Sequence, residues 1–230
     1  MKTVLVACEY SGIVRDAFED AGWDAWSCDL LPTESEKTIK AGKHLQEDIL
    51  RILAHNFDGY YNLPNHWDLL IGFPPCTYLS FAYTGKERYS LDRLQNKIDA
   101  MQFFLDLWKQ PIAHICLENP MGYIHSGLLP YSQIIEPYYF GHNYRKKTCL
   151  WLKNLPLLQH SKNTNLFEKQ THYEGEIRYY INGWAQRRSG KKSIADCYDN
   201  KMKSKFHPLV AAAMAKQWTE YINNKINKYE

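Results

Sequence analysis

Gly72-Phe73-Pro74-Pro75-Cys76-Thr77-Tyr78-Leu79-Ser80 sets a thiol directly behind two prolines. Two fixed φ angles hold whatever follows them at a defined point. The apolar run His66 to Gly72 reads as a buried strand, so Cys76 stands at a strand end within a substrate's reach. A thiolate is a strong nucleophile, but a free thiol ionises near pH 8.5 unless a cation or a helix N-terminus lowers that value. An isolated Pro-Pro-Cys would be only a buried cysteine beside a turn. This one is not isolated. About 40 residues on, Glu118-Asn119-Pro120 closes the next apolar run, Ile112 to Leu117. Adjacent strand ends lie about 5 Å apart, so Cys76 and Glu118 can face one pocket. A thiolate adding to a pyrimidine ring needs an acid at a ring nitrogen, and a neighbouring carboxyl provides it. On its own, Glu118 would be a helix cap or an ion-pair partner.

A second group lies near the N-terminus. Glu9-Tyr10-Ser11-Gly12 is a turn after the run Thr3 to Ala7, and Asp29 ends the next run, Asp24 to Cys28. Asp48 follows the short segment His44 to Glu47. An acidic residue about 20 positions past a glycine turn can accept both hydroxyls of a ribose. The turn lacks GxGxxG, so it specifies no pyrophosphate. One carboxylate and one permissive glycine suit a positively charged cofactor, and a sulfonium amino acid fits. The plainer alternative is a strand-to-helix turn with Asp29 as a cap.

These residues require strands that end on one rim. Ile13, Val14, Ala17 and Phe18 recur at helical spacing, which makes the first 30 residues a βαβ unit. Leu91 to Trp108 reads as an amphipathic helix with Leu94, Ile98, Met101, Phe104, Leu105 and Trp108 along one side. Thr148 to Leu152 is a later strand. Phe206 to Tyr229 is a closing helix with Val210, Met214, Trp218 and Ile222 at intervals of four. The expected fold is α/β: a doubly wound, mostly parallel sheet, with its sites at the carboxyl ends of the strands. Residues 1–153 and 206–230 form the catalytic body, and 154–205 a small basic insert.

Composition narrows the class. With 230 residues and 45% apolar content, the chain can bury a sizeable core. No apolar run spans a membrane, and the short N-terminal run passes straight into acidic and glycine residues, so a cytoplasmic protein is expected. Six cysteines without a CxxC pair argue against a zinc ribbon, and no metal is expected. Residues 140–205 carry 14 Lys and Arg against 5 Asp and Glu, so the remainder is net acidic although the whole is +3. Such a segment either grips a polyanion or is a solvated, lysine-rich face.

Taken together, Glu9 to Gly12, Asp29, Asp48, Gly72 to Ser80 and Glu118-Asn119 resemble the DNA cytosine-5 methyltransferase family. Pro208 to Ala215 resembles that family's last motif, which returns to the cofactor pocket. The family writes its nucleophile motif GGPPCQxFS and its acid motif Glu-Asn-Val; here Thr77 replaces Gln and Pro120 replaces Val. Arg145-Lys146-Lys147 is the nearest equivalent of its Gln-x-Arg-x-Arg motif. The resemblance implies S-adenosyl-L-methionine as cofactor, held by Glu9, Ser11, Gly12, Asp29, Asp48 and Pro74. It implies catalysis by Cys76, Glu118, Asn119 and Lys147. The implied partner is duplex DNA with a flipped cytosine, contacted by Ser80, Arg145, Lys146, Arg178, Arg187, Arg188, Lys191 and Lys192. The short recognition segment is what a phage or mobile-element variant would carry. A related enzyme acting on RNA or a nucleotide, one using another one-carbon donor, and a silent binding module are the alternatives.

Overall fold

In the computed structural model, residues 1–55, 62–80, 90–142, 146–160, 180–181, 184–185 and 205–226 are described. The βαβ unit forms as expected: β1 (Thr3–Ala7), α1 (Ile13–Asp20) and β2 (Asp24–Asp29). After it come α2 (Glu36–Ala41), β3 (His44–Gln46), α3 (Ile49–Leu53), β4 (Leu69–Gly72), α4 (Leu91–Trp108) and β5 (His114–Asn119). A single π turn (Ile124–Leu128), β6 (Gln133–Ile135), a 3-10 turn (Pro137–Phe140) and β7 (Thr148–Lys153) complete the sheet. A two-stranded hairpin, β8 (Tyr180–Ile181) with β9 (Trp184–Ala185), precedes the last helix, α5 (Pro208–Ile226).

The sheet order is β3-β2-β1-β4-β5-β7-β6. β1 to β5 run parallel; β7 is antiparallel to both β5 and β6. This is the doubly wound, Rossmann-like arrangement. Alternation along the strands assigns the two faces. Val4, Val6, Leu69, Ile71 and Cys116 face the core under α1 and α5, with Phe18, Val210, Met214 and Trp218. Leu5, Ala7, Leu70, Ile115 and Leu117 face the other core, with Ile52, Phe104, Leu107 and Trp151. Parallel strands buried on both faces need continuous apolar runs, and β1 and β4 are buried throughout. Arg15 is fully buried, yet its guanidinium bonds Ala25 O at 2.9 Å and pairs with Asp16 and Glu19, tying α1 to β2.

Helix α4 has the expected bounds but not the expected burial. Phe104 and Leu107 enter the core, whereas Leu91, Leu94 and Ile98 stay exposed at 84%, 46% and 49%. Only its C-terminal half lies over the sheet. Asn154 begins a return: Asn154 Nδ2 bonds Ala113 O, and Leu158 N and O exchange bonds with the Gln133 side chain. His160 then stacks on Tyr139 at 4.7 Å. Residues 154–160 thus climb from the amino end of β5 to the carboxyl rim. No helix among the described residues is long and apolar enough to cross a membrane.

Candidate active site

β4 and β5 are paired through Gly72↔Leu117, so the segments that follow them stand side by side. They are stitched together. Asn119 is 1% exposed, and its Nδ2 donates to Pro74 O at 2.7 Å. Ser80 and Gly122 form an antiparallel bridge, and Tyr123 N donates to Leu79 O at 2.9 Å. Leu79 N and Ser80 N both return to Cys76 O, at 3.0 and 3.1 Å. Gly122 permits this approach: a Cβ there would sit 1.9 Å from Leu79 O. Nothing in the sequence pattern singled out Gly122; the signal was a glycine three residues past Glu-Asn.

Cys76 is exposed. The dense protein around it still raises its thiol above the usual value; Glu118 raises it further, and Lys146 lowers it. Glu118 is half-buried at the end of β5, and desolvation by the protein around it pushes its carboxyl up to about 7 against the opposing pull of Lys146. The buried Thr148 hydroxyl donates to Glu118 Oε1. The sequence thus gathers a thiol, a carboxyl near neutrality and an ammonium from three neighbouring segments.

The cation differs from expectation. Lys147 is exposed, and Lys146 is the cation whose field acts on both Cys76 and Glu118. The period of two explains why. The Thr148 side chain meets Glu118, so Lys146, two positions earlier, shares its side of the strand and Lys147 takes the other. Lys146, expected on DNA, is therefore the lysine that stands with Cys76 and Glu118, and Lys147, expected beside them, points outward. Burial lowers the His207 imidazole, 5.8 Å from the His142 ring, and the charge of Lys146 lowers it further. Phe206 beside it packs on Phe73 at 4.7 Å, so the start of α5 closes one side of the site.

The second group adjoins the first, because Phe73 N extends the β1–β4 ladder to Ala7 O at 3.0 Å. At the ends of β1, β2 and β3, Asp29 and Asp48 lie near enough to Cys8 and Cys28 for both to raise those thiols beyond the effect of burial. Cys8 itself takes a left-handed φ of 58°, unusual for a residue with a side chain. Asp29 Oδ1 accepts from Leu31 N at 2.9 Å, and Asp48 caps α3 by accepting from Leu50 N at 2.9 Å. The second oxygen of each has no partner among the described residues. This pair of carboxylates fits a cofactor with ribose hydroxyls and a cationic centre. Glu9 and Gly12 make close contacts within the turn itself. Glu9 is buried, and its oxygens accept from Val14 N at 2.7 Å, Arg15 N at 3.2 Å and Ser11 Oγ at 3.1 Å. Burial outweighs those bonds and holds its carboxyl at about 7. Gly12 has φ 73°, and the space beside it is filled by Ser35, whose Cβ lies 2.4 Å from where a Cβ on Gly12 would stand. Glu9, Ser11 and Gly12 thus build the turn and present no open carboxylate. Pro74 is buried with its carbonyl on Asn119. Ser80 is half-buried in the bridge to Gly122. Arg145, Arg178, Arg187, Arg188, Lys191 and Lys192 lie outside the described residues. No cluster of metal-ligating side chains occurs among the described residues.

No family model matches the chain, and no curated protein does. Its structural neighbours are methyltransferases. One, encoded within an Escherichia coli prophage and described as a DNA modification methyltransferase, is 15% identical over 85% of this chain, with a TM-score of 0.42. The Dnmt2 methyltransferase of S. pombe is 18% identical over 76%, also at 0.42. An Escherichia coli rRNA methylase is 14% identical over 66%, at 0.36. This chain spans 63%, 56% and 56% of their lengths, respectively.

Proposed function

We propose that the protein transfers a methyl group from S-adenosyl-L-methionine to carbon 5 of cytosine in DNA, with Cys76 as nucleophile and Glu118 as acid. The convergence of Cys76, Glu118 and Lys146 at one point carries this reading. The cofactor, when bound, supplies an electrophilic methyl group on a sulfonium. Asp29 accepts ribose hydroxyls, and Asp48 adds negative charge beside it. Glu9, Ser11 and Gly12 shape the turn beneath.

The Cys76 thiolate forms a bond to carbon 6 of the ring. Glu118 gives its proton to nitrogen 3, which absorbs the negative charge and leaves carbon 5 rich in electrons. Carbon 5 takes the methyl group. Solvent water takes the carbon-5 proton, the electrons of that bond restore the double bond to carbon 6, the C–S bond breaks, and Cys76 leaves as thiolate while nitrogen 3 returns its proton to Glu118. Lys146 favours the thiolate in the first step and the carboxylate that follows. Asn119 holds the Pro74 carbonyl and so fixes where Cys76 stands.

DNA is favoured by the basic segment and by where it is anchored. His160, stacked on Tyr139, leads into it, and Lys205, paired with Glu34 at 2.6 Å, receives it. Both anchors lie on the rim that carries Cys76. A polymer with one charge per phosphate rewards such a patch, and the enzyme must draw its base out of the duplex at a cost of a few kcal/mol. DNA containing 5-fluorocytosine tests the reading, because fluorine cannot leave as a proton. The wild type is expected to form a covalent adduct stable to denaturing gels, and Cys76→Ala none. An active wild type without an adduct, or normal turnover by Cys76→Ala, removes Cys76 from the mechanism.

A further inference from the structure

We propose that Thr148 is a positioning residue for Glu118: its hydroxyl donates to Oε1 and leaves Oε2 to carry the proton delivered to the substrate. The delivery rests on the pyrimidine chemistry above; the placement is a property of the free protein.

Thr148 is 1% exposed, so no bulk water competes for its hydroxyl. The pairing that brings it there is fixed from two sides. β5 sets Glu118 opposite Leu150 and Asn119 opposite Cys149, and β6 sets Ile135 opposite Thr148. A β-branched side chain in a central strand is stiff at χ1, which holds the hydroxyl in place. That hydroxyl has one hydrogen and two neighbours, Glu118 Oε1 and, at 3.4 Å, Asn119 O. Directed to Glu118, it occupies Oε1 as acceptor, so a proton on this carboxyl stands on Oε2. When the proton leaves, the same hydrogen bond stabilises the carboxylate, because a bond to the charged form favours it. Thr148 thus makes Glu118 a directional acid that is easier to discharge. The other groups acting on or answering to Glu118 are Lys146 before β7, Cys76 after β4, Cys116 on β5 and Cys149 on β7. Replacing Thr148 leaves all of them in the chain.

The test is a pH titration of the Glu118 carboxyl by carbon-13 NMR in labelled protein, its signal assigned by loss in Glu118→Gln. Thr148→Val keeps the branched shape and removes the donor. Its midpoint is expected to rise by about one to two pH units, the equivalent of one hydrogen bond to a charged group. Thr148→Ala, which loses the donor with a different packing change, rises likewise, and Thr148→Ser returns to the wild-type value. A midpoint unmoved in folded Thr148→Val or Thr148→Ala, or moved equally in Thr148→Ser, overturns the proposal. The two readings fail separately. If the midpoint moves but the wild type transfers no methyl group, the positioning stands and the methyl-transfer reading falls. If the wild type transfers methyl and the midpoint stays, the reverse holds.

Discussion

Gly122→Ala is expected to separate activity from stability. The new Cβ would lie 1.9 Å from Leu79 O, whereas real contacts of this kind stay beyond 3.0 Å, so one strand of the stitch must retreat by about 1 Å. The obstacle is backbone and cannot rotate away. Retreat lengthens the bond from Tyr123 N to Leu79 O and disturbs the Ser80–Gly122 bridge. At about 0.5–1.5 kcal/mol for each net hydrogen bond, the fold loses roughly 1–3 kcal/mol. For a chain of this size that lowers the melting temperature by about 2–12 °C. The kinetic cost is larger. Leu79 and Ser80 are bonded to Cys76 O, so a shift of this size moves the thiol, and about 1 Å of misplacement costs on the order of 100-fold. Single-turnover methyl transfer at a temperature where both proteins are folded is the assay. Wild-type turnover by Gly122→Ala would show that the stitch does not position Cys76.

Four further outcomes are expected. Asp29→Ala should weaken S-adenosylmethionine binding about 10- to 150-fold, from the loss of bonds worth about 1.5–3 kcal/mol; unchanged calorimetric affinity would refute the assignment. The pH dependence follows from two groups needed in opposite states, the Cys76 thiol ionised and Glu118 protonated. With Glu118 at about 7 and the thiol raised, kcat/KM should climb tenfold per pH unit up to about 7. It should then stay level until the thiol itself ionises, and Glu118→Gln should lack the break near 7. The same shift affects folding: a carboxyl raised from 4.5 to about 7 contributes most below pH 4.5, and that contribution is lost as pH rises through 7. Relative to Glu118→Gln, the wild type should therefore lose stability between about pH 4.5 and 7 in denaturant titrations. Finally, replacing Arg187, Arg188, Lys191 and Lys192 by Ala should flatten the slope of log affinity against log salt by roughly 3–4; an unaltered slope would place the DNA contact elsewhere.

Long periodic segments were legible in the sequence. Leu91–Trp108 has the expected bounds, and Val210, Met214, Trp218 and Ile222 are all buried. Pattern alone could not show that α4 overhangs the sheet, because exposure of Leu94 and Ile98 depends on where the neighbouring strands stop. β6 has three residues and α2 shows Ile39 at its surface, too little period for either to be read. The pairing of Cys76 with Glu118 followed from adjacent strand ends. Which of Lys146 and Lys147 lies toward Glu118 depends on the register of β7, which a run of three cations does not contain. Glu9 and Gly12 were ambiguous for a different reason: an acidic residue and a glycine before a helix serve a ligand and a helix start equally well. The inward turn of Glu9 became visible only with the Val14 and Arg15 amides in place.

The two anchors of the insert, His160 and Lys205, lie on one rim while the sheet closes below them. Segments attached in this way can be exchanged without retuning the body. The entropy of closing a loop grows only as its logarithm, so doubling its length costs about 0.6 kcal/mol, small against the packing of Trp218 and its neighbours. On the proposed function, a lineage could therefore swap what lies between residues 160 and 205 and try new target sequences, while Cys76, Glu118 and Thr148 keep their places. If that segment reads the target, as the proposed function has it, chemistry and address would be inherited separately.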